Sequence, residues 1–449
     1  MSGFSRLDTE QIKHAVKALT GLFGDADPKS LLLDLAVCLY AVSGGERVED
    51  FPVTEGGDWR YVVPELLGKY PRIPERSWLA GRGLTAASHE CRECVRDILL
   101  MAEAQPEAAR RRNASFIFRY VLAFMIQESL IEDFITPEEL CRMMAQMAQP
   151  RPGEVVYDPA CGSGRLLAAA YAQCPECVLV GGDIREESAE LAFFNLYFSG
   201  GASASLYTED FLSDGQDGQR RMEQVDLILS NPPYTDLRLS HPSYTEAGGD
   251  RSGVTARFLA RILHRLKMGG RCAVLVPQGF LTNTSSRIVK EKRKEILERY
   301  TLEAVVSLPR KIYSPYTMSY SSLLVIRKEE SGRRDYPVFI SRLAETGEEQ
   351  RYSGPENETG FADSGYREGM ERILKQWRKF RAGEKTDASV ARATDAGAMR
   401  NNEWIFAADN YWAENYRAEG YVPGEKKLEM LRKRMWEGQR RLEKLIEDL

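Results

Sequence analysis

A short apolar strand, Val155-Val156-Tyr157, runs straight into Asp158-Pro159-Ala160-Cys161-Gly162-Ser163-Gly164, and a helical run from Arg165 to Gln173 follows at once. Glycines between a strand and a helix permit a tight turn and let a ligand approach the backbone closely. The unit then repeats. Val178-Leu179-Val180-Gly181-Gly182 is a second strand ending at Asp183-Ile184, and a strand-like run around Leu206-Tyr207 ends at Glu209-Asp210-Phe211. Strands alternating with helices predict an α/β fold built on a doubly wound sheet, with ligands held at the carboxyl ends of its strands. An acidic residue such as Asp183 at the end of the second strand is where such a sheet holds a ribose diol. The glycines do not follow G-x-G-x-x-G, and no phosphate-gripping lysine comes after them as in a P-loop.

A buried-strand pattern, Val225 to Leu229, leads through Ser230 into Asn231-Pro232-Pro233-Tyr234. This tetrapeptide suits one chemical problem, the methylation of a planar and poorly nucleophilic NH2 group. The exocyclic amine of adenine and the amide of glutamine both delocalise their lone pair into a neighbouring π system. An Asn side-chain oxygen and a main-chain carbonyl can each accept one N–H hydrogen. Both bonds favour a pyramidal nitrogen whose lone pair can point at an electrophilic methyl, and both strengthen as charge builds on nitrogen in the transition state. Pro233 lacks an N–H and fixes its own φ, and it restricts the residue before it, so the Pro232 carbonyl is held in one direction. Tyr234 offers a flat face on which a base could stack. Alone, the same four residues would also serve as a proline turn after a buried strand.

Ahead of the glycine loop lies Asp133-Phe134-Ile135-Thr136-Pro137-Glu138-Glu139. Thr136 is expected as a helix N-cap, Pro137 as the first helical residue and Glu139 at the capping-box position. Downstream, Phe258 to Lys267 reads as a helix, Met268-Gly269-Gly270 as a turn and Arg271 to Pro277 as a buried strand.

Taken together these motifs resemble a known family. The loop Asp158 to Gly164 is similar to motif I of S-adenosylmethionine-dependent methyltransferases, and Glu209-Asp210-Phe211 resembles their adenine-ring contact. Phe134, Thr136 and Pro137 resemble the Phe-x-Thr-Pro element that lies over the methionine end of the cofactor in amino-methyltransferases of the γ arrangement, where that element comes first, as here. Val305-Val306-Ser307-Leu308-Pro309, Tyr313-Ser314-Pro315-Tyr316-Thr317 and Leu323-Leu324-Val325-Ile326 resemble later motifs of the methylation subunits of type I restriction-modification systems. The likeness covers about residues 130 to 345 and returns at Asp409-Asn410-Tyr411. Cys161 and Ser163 stand where Ala and Thr are common, a tolerable change because backbone atoms make the contacts. Tyr316 to Ser322 matches only loosely.

The resemblance implies a seven-stranded, Rossmann-like methyltransferase domain and an N6-adenine DNA methyltransferase. S-adenosylmethionine would be the cofactor, S-adenosylhomocysteine the product, and no metal would be needed. The cofactor would be held by Phe134, Thr136, Pro137, Asp158 to Gly164, Asp183, Ile184, Asp210 and Phe211, with Asn231, Pro232, Pro233 and Tyr234 catalytic. Partners would be double-stranded DNA, a specificity subunit and, in a type I assembly, a second modification subunit and a restriction subunit. Two other readings stand beside it: a protein-glutamine N5-methyltransferase, which shares Asn-Pro-Pro-Tyr, and a non-catalytic scaffold of the same fold. Chain length and the Thr-Pro element argue against the first, and the intact Asn231, Asp158 and Gly162 against the second.

Composition narrows the classes further. Hydrophobic content of 43% and charged content of 28% exclude wholesale disorder. The polar start, Met1 to Asp8, carries no leader signal, and the apolar stretch Ser30 to Ser43 is broken by Asp34 and is too short to span a bilayer. A cytoplasmic protein without membrane contact is expected. The pairs Cys91/Cys94 and Cys174/Cys177 have metal-like spacing, but they lie in separate parts of the chain outside any glycine-rich knuckle, and the four histidines form no cluster. Cytosine C5 methylation would call for a Pro-Cys dipeptide, which the sequence lacks. The net charge of −5 is unlike a lone DNA-binding enzyme, since phosphate neutralisation dominates such affinity. The six Lys and Arg of Arg287 to Arg299 read as a solvated helix face. Sequence recognition is therefore expected from a separate subunit.

Four regions are expected: a helical N-terminal domain over 1–128, the catalytic domain over 129–345, a linker and helical region over 346–422, and a C-terminal helix over 423–449. In that last helix Leu428, Leu431, Met435, Leu442, Leu445 and Leu449 form a 3-4 seam, broken at Gly438, suited to contact with another subunit.

Overall fold

The computed structural model describes residues 9–22, 26–51, 62–70, 83–104, 107–127, 130, 136–200, 204–213, 224–234, 251–313, 320–329, 335–344 and 366–412. Phe134, the Tyr316 segment up to 319 and the seam helix lie outside them. Residues 1–408 form one compact unit and 409–449 a second, in which Asp409–Trp412 is a short helix.

Strands β1 (Val155–Asp158), β2 (Val178–Asp183), β3 (Ala204–Thr208), β4 (Val225–Ser230), β5 (Leu266–Pro277), β6 (Thr301–Ser307), β7 (Ser321–Arg327), β8 (Pro337–Arg342) and β9 (Ala391–Asp395) make one sheet in the order 3-2-1-4-5-7-6-8-9. Strands β3 to β5 along that order are parallel; β7 enters antiparallel between β5 and β6, β8 is parallel to β6, and β9 is antiparallel to β8. The central strands are buried on both faces, which is why Leu227 to Leu229 of β4 and the second half of β5 read as unbroken apolar runs.

Among the described residues nine strands stand where seven were expected. The seven are there, and β8 and β9 extend the β6 edge. The last strand, Ala-Arg-Ala-Thr-Asp, alternates only weakly in burial, so its Ala- and Thr-rich sequence suggests a loop. Its structure comes from pairing with β8. The expected turn at Met268-Gly269-Gly270 also differs. It lies inside β5, opposite a register shift between Val225 and Leu227, with Gly269 at φ 79°. Three more residues on β5 than β4 can match across that shift are absorbed as a bulge.

Helices α1 (Thr9–Thr20), α2 (Pro28–Ser43), α3 (Val62–Lys69), α4 (His89–Glu103) and α5 (Glu107–Gln127) form the N-terminal part. Asp27 caps α2 by accepting from the Ser30 N–H, and Ser88 caps α4 by accepting from the Cys91 N–H. No described helix is long and apolar enough to cross a membrane. Next come α6 (Glu138–Ala148), α7 (Arg165–Gln173) and α8 (Glu186–Phe198), and later α9 (Arg251–Arg265), α10 (Gln278–Thr282), α11 (Arg287–Arg299), α12 (Arg367–Arg381) and α13 (Ala396–Asn401). Two apolar cores result. One joins the N-terminal helices to Leu191, Phe194 and Phe198 of α8; the other joins the sheet to α6, α7, α12 and to Ala192 and Leu196 of the same α8. Helix α8 is therefore a shared wall. The α6–α12 contact is pinned by the Trp377 indole N–H, which donates to the Met147 carbonyl across 230 positions of sequence.

The cations of α11 are mostly spent within the protein. Lys292 pairs with Glu295, Lys294 with Glu298, Arg299 with Glu295 and Lys290 with Glu403. Arg293 is fully buried and donates to the carbonyls of Phe280 and Asn283. The expected solvated face is thus paired at its surface, while Arg293 departs from it by lying in the core.

Candidate active site

In chain order the sheet adds β2 and β3 on one side of β1, then reverses to place β4 on the other. Ligands of open α/β sheets bind at that reversal, beyond the carboxyl ends of the strands. Asp158 to Gly164 leaves β1 there, Asp183-Ile184 leaves β2, Glu209-Asp210-Phe211 leaves β3 and Asn231 to Tyr234 leaves β4. One edge of the sheet thus gathers the loop, the acids and the tetrapeptide.

The glycine loop is shaped by backbone geometry. Gly162 (φ 49°) and Gly164 (φ 73°) both take left-handed conformations, which side chains resist. They face different surroundings. A Cβ on Gly164 would stand 2.9 Å from the Ala192 Cβ of α8, whereas one on Gly162 would meet nothing within 4 Å. Asn195, also on α8, donates from Nδ2 to the Ser163 carbonyl at 2.8 Å. The loop is therefore closed behind by α8 and open in front.

Asp183 is buried and ties β2 to that loop. Its Oδ2 accepts the Gly162 N–H at 2.9 Å and its Oδ1 the Arg185 N–H at 3.0 Å. A carboxylate offers about four lone-pair sites, so these bonds leave acceptor capacity for a diol. Asp158 accepts the Ala160 N–H at 3.1 Å. Burial pushes its carboxyl up to about 8; the Ala160 bond opposes this, the Asp183 charge adds to it and the Ser230 hydroxyl opposes it. The Cys161 thiol is pushed well up, by burial first and by Asp183 and Asp158 next, so it is no nucleophile. Asp210 is half-buried and accepts the Leu212 N–H at 2.9 Å. The Phe211 ring is buried against Phe258 and Tyr157, with centroids 5.4 and 6.0 Å away.

Thr136 departs from expectation. Helix α6 starts at Glu138, with Pro137 in the cap position and no side-chain capping bond. Proline cannot continue the turn backwards, and the Thr136 hydroxyl is used elsewhere: its Oγ1 accepts the Asn231 Nδ2–H at 2.9 Å. The Thr136 carbonyl accepts from Arg165 Nη1 at 3.3 Å. The threonine is held from behind and holds the asparagine in front. Among the described residues the Asn231 Oδ1 atom is buried and has no hydrogen-bond partner. An orphaned acceptor at the end of a strand, with its amide orientation set by a fixed hydroxyl, is what the chemistry of an incoming N–H needs.

Tyr234 is half-buried, and its phenol oxygen lies 3.2 Å from that of Tyr313. Burial raises the ionisation of Tyr234 well above the ordinary range, so it acts as a neutral phenol.

Two contributors, Asn195 and Arg165, were not singled out from sequence, and Tyr313 entered there only as part of a later motif. A lone Asn inside the apolar run Leu191 to Phe198 is a readable signal for the first. Arg165 directly after the glycines is a weaker one. Tyr313 carried no sign of its partner.

The N-6 DNA Methylase family model matches residues 116–419. A type I restriction enzyme EcoEI methylase subunit from Escherichia coli is 25% identical over 252 residues, covering 51% of this chain and 50% of its own length. The MjaVII methylase subunit of Methanocaldococcus jannaschii is 24% identical over 252 residues, covering 51% and 42%. The chain thus spans about half or less of the length of these curated relatives. Among solved structures, the type I restriction-modification methyltransferase subunit from Streptococcus thermophilus superposes with a TM-score of 0.60 at 17% identity, covering 88% of this chain and 97% of that one. A chain from an assembly of a type I R-M system gives a TM-score of 0.65 at 18% identity over 100% and 99%. These structures share the fold.

Proposed function

This chain belongs to the N-6 DNA methylase family, and from that premise we propose that it methylates the exocyclic N6 of adenine in double-stranded DNA, using S-adenosylmethionine and releasing S-adenosylhomocysteine. The buried, unpartnered Asn231 Oδ1 carries the reading. That oxygen accepts one N6 hydrogen and the Pro232 carbonyl the other, drawing the nitrogen lone pair out of the ring. Tyr234 stacks against the adenine once it leaves the duplex, an extrusion that costs a few kcal/mol and of which stacking returns roughly 1–3 kcal/mol.

The residues present fit the cofactor. The space in front of Gly162 is open, and a buried Asp158 carboxyl beside Asp183 favours a cationic ligand. When bound, the cofactor supplies an electrophilic methyl on a positively charged sulfur. Asp158 to Gly164 and Asp183-Ile184 would hold it, with Asp210 and Phe211 beside its base and Phe134, Thr136 and Pro137 over its methionine end.

The net charge of −5 supports assigning DNA sequence recognition to a separate specificity subunit. A second modification subunit and a restriction subunit would complete a type I assembly, and the leucine seam of residues 423–449 would supply part of the contact. Efficient methylation of one defined sequence by the purified chain alone would remove the need for that subunit.

The test is Asn231→Ala in the assembled enzyme, with cofactor affinity measured by calorimetry and N6-methyladenine in unmethylated genomic DNA measured by mass spectrometry. Affinity should stay near wild type while turnover falls about 10²- to 10³-fold, the scale of losing one preorganised hydrogen-bonding group. Near-normal turnover would sink the role of Asn231. Label appearing on protein instead of DNA would favour glutamine methylation, and no cofactor binding by the wild type would favour a scaffold.

A further inference from the structure

Tyr234 leaves the sheet after β4, and Tyr313 ends the short 3-10 turn Arg310–Tyr313 after β6. Strands β4 and β6 are not neighbours, because β5 and β7 lie between them. The chain following β6 therefore crosses the ends of two strands to bring one phenol against another. Tyr313 is 0% exposed, and burial pushes its own ionisation up to about 12, so it is a fixed neutral hydroxyl. Ser321, the first residue of β7 and itself 1% exposed, donates from Oγ to the Tyr313 hydroxyl at 3.3 Å. A chain of three hydroxyls from Ser321 through Tyr313 to Tyr234 thus runs from the sheet to the half-buried ring.

Stacking needs only the face of a ring, which phenylalanine would provide equally. A hydroxyl hydrogen-bonded at the far end does something else: it fixes both ends of the ring's long axis and stops the ring from swinging about χ1. A ring held in place before the base arrives does not have to be ordered by it, and ordering a side chain on binding weakens affinity.

We propose that Tyr313 is a positioning residue for the target adenine, its buried phenol anchoring the Tyr234 hydroxyl so that the Tyr234 ring is already set as a stacking surface. This rests on the adenine-methylation reading of the same site. Tyr313 does not touch the base and acts through Tyr234.

The experiment is a double-substitution cycle of Tyr313→Phe and Tyr234→Phe in the assembled enzyme, with unmethylated genomic DNA and radiolabelled S-adenosylmethionine. Each single change should raise KM for DNA about two- to tenfold, the scale of ordering one side chain on binding, with cofactor affinity and melting temperature near wild type. The double variant should be no worse than either single, because both break the same anchor. Additive effects, or a Tyr313→Phe effect that persists unchanged in the Tyr234→Phe background, would overturn the proposal. So would a folded Tyr313→Phe enzyme with wild-type KM. If Tyr313→Phe fails to fold, Ser321→Ala serves instead; its smaller rise in KM should vanish in the Tyr234→Phe background, and a rise that survives there would equally overturn it. Wild-type enzyme that methylates no adenine would sink the functional reading itself, an outcome distinct from active enzyme with additive variants.

Discussion

The Thr136 hydroxyl sets how the Asn231 amide is used. With Oγ1 taking the Nδ2–H, the amide cannot flip without losing a bond, and Oδ1 stays available. Thr136→Val keeps the shape and removes the acceptor, leaving a half-buried N–H unsatisfied, a penalty of about 1–3 kcal/mol. Turnover on DNA should fall by about tenfold or more, while Thr136→Ser should retain most of it; equal loss in both variants would show that shape, and not the hydroxyl, matters. A second residue-scale consequence belongs to Asp158. Its carboxyl rises from 3.8 to about 8 on folding, so between those values the folded chain holds a proton that the unfolded chain has lost. The resulting stability is complete below the unfolded value and disappears as pH climbs through about 8. The ligand-free protein should melt at lower temperature at pH 9 than at pH 5, and Asp158→Asn should flatten that slope. Affinity for cationic S-adenosylmethionine should rise over the same window, with proton release visible by calorimetry in buffers of different ionisation enthalpy.

At the scale of elements, the two left-handed glycines of the loop separate stability from binding. Gly164→Ala meets both its φ and the Ala192 Cβ, a combination of about 1–2 kcal/mol of backbone strain with about 1–3 kcal/mol of overpacking. Gly162→Ala meets its φ alone. Thermal melts should therefore show Gly164→Ala as the less stable, and calorimetry should show Gly162→Ala as the poorer binder of cofactor relative to its stability. The loop itself was legible because its signal is local, a strand, glycines and a helix within 20 residues. Which glycine faces protein and which faces space was not, since Ala192 lies on the next helix but one. Strand β9 was illegible for a related reason: its five residues have little pattern, and β8 supplies the ladder. The Thr136 cap was misread because a capping sequence gives the right hydroxyl but not its partner, 95 positions away.

Across the whole molecule, α8 ties the N-terminal helices to the proposed cofactor loop without their touching it. One side carries Phe194 and Phe198 into the helical core, and the other carries Ala192 and Asn195 to the loop. Phe194→Ala should destabilise the chain by about 3–5 kcal/mol and weaken cofactor binding with it. Wild-type affinity in a folded Phe194→Ala protein would show the two sides to be independent. The Trp377–Met147 bond has a consequence of another kind, in time. A ribosome adding about 5–20 residues each second needs on the order of 10–50 s to travel from Met147 to Trp377. Throughout that interval α6 stands finished, the face that Trp377 will cover waiting for a partner not yet made. Nascent chains halted before Trp377 should remain open to protease around α6 and attractive to chaperones, and chains halted after α12 has emerged should not.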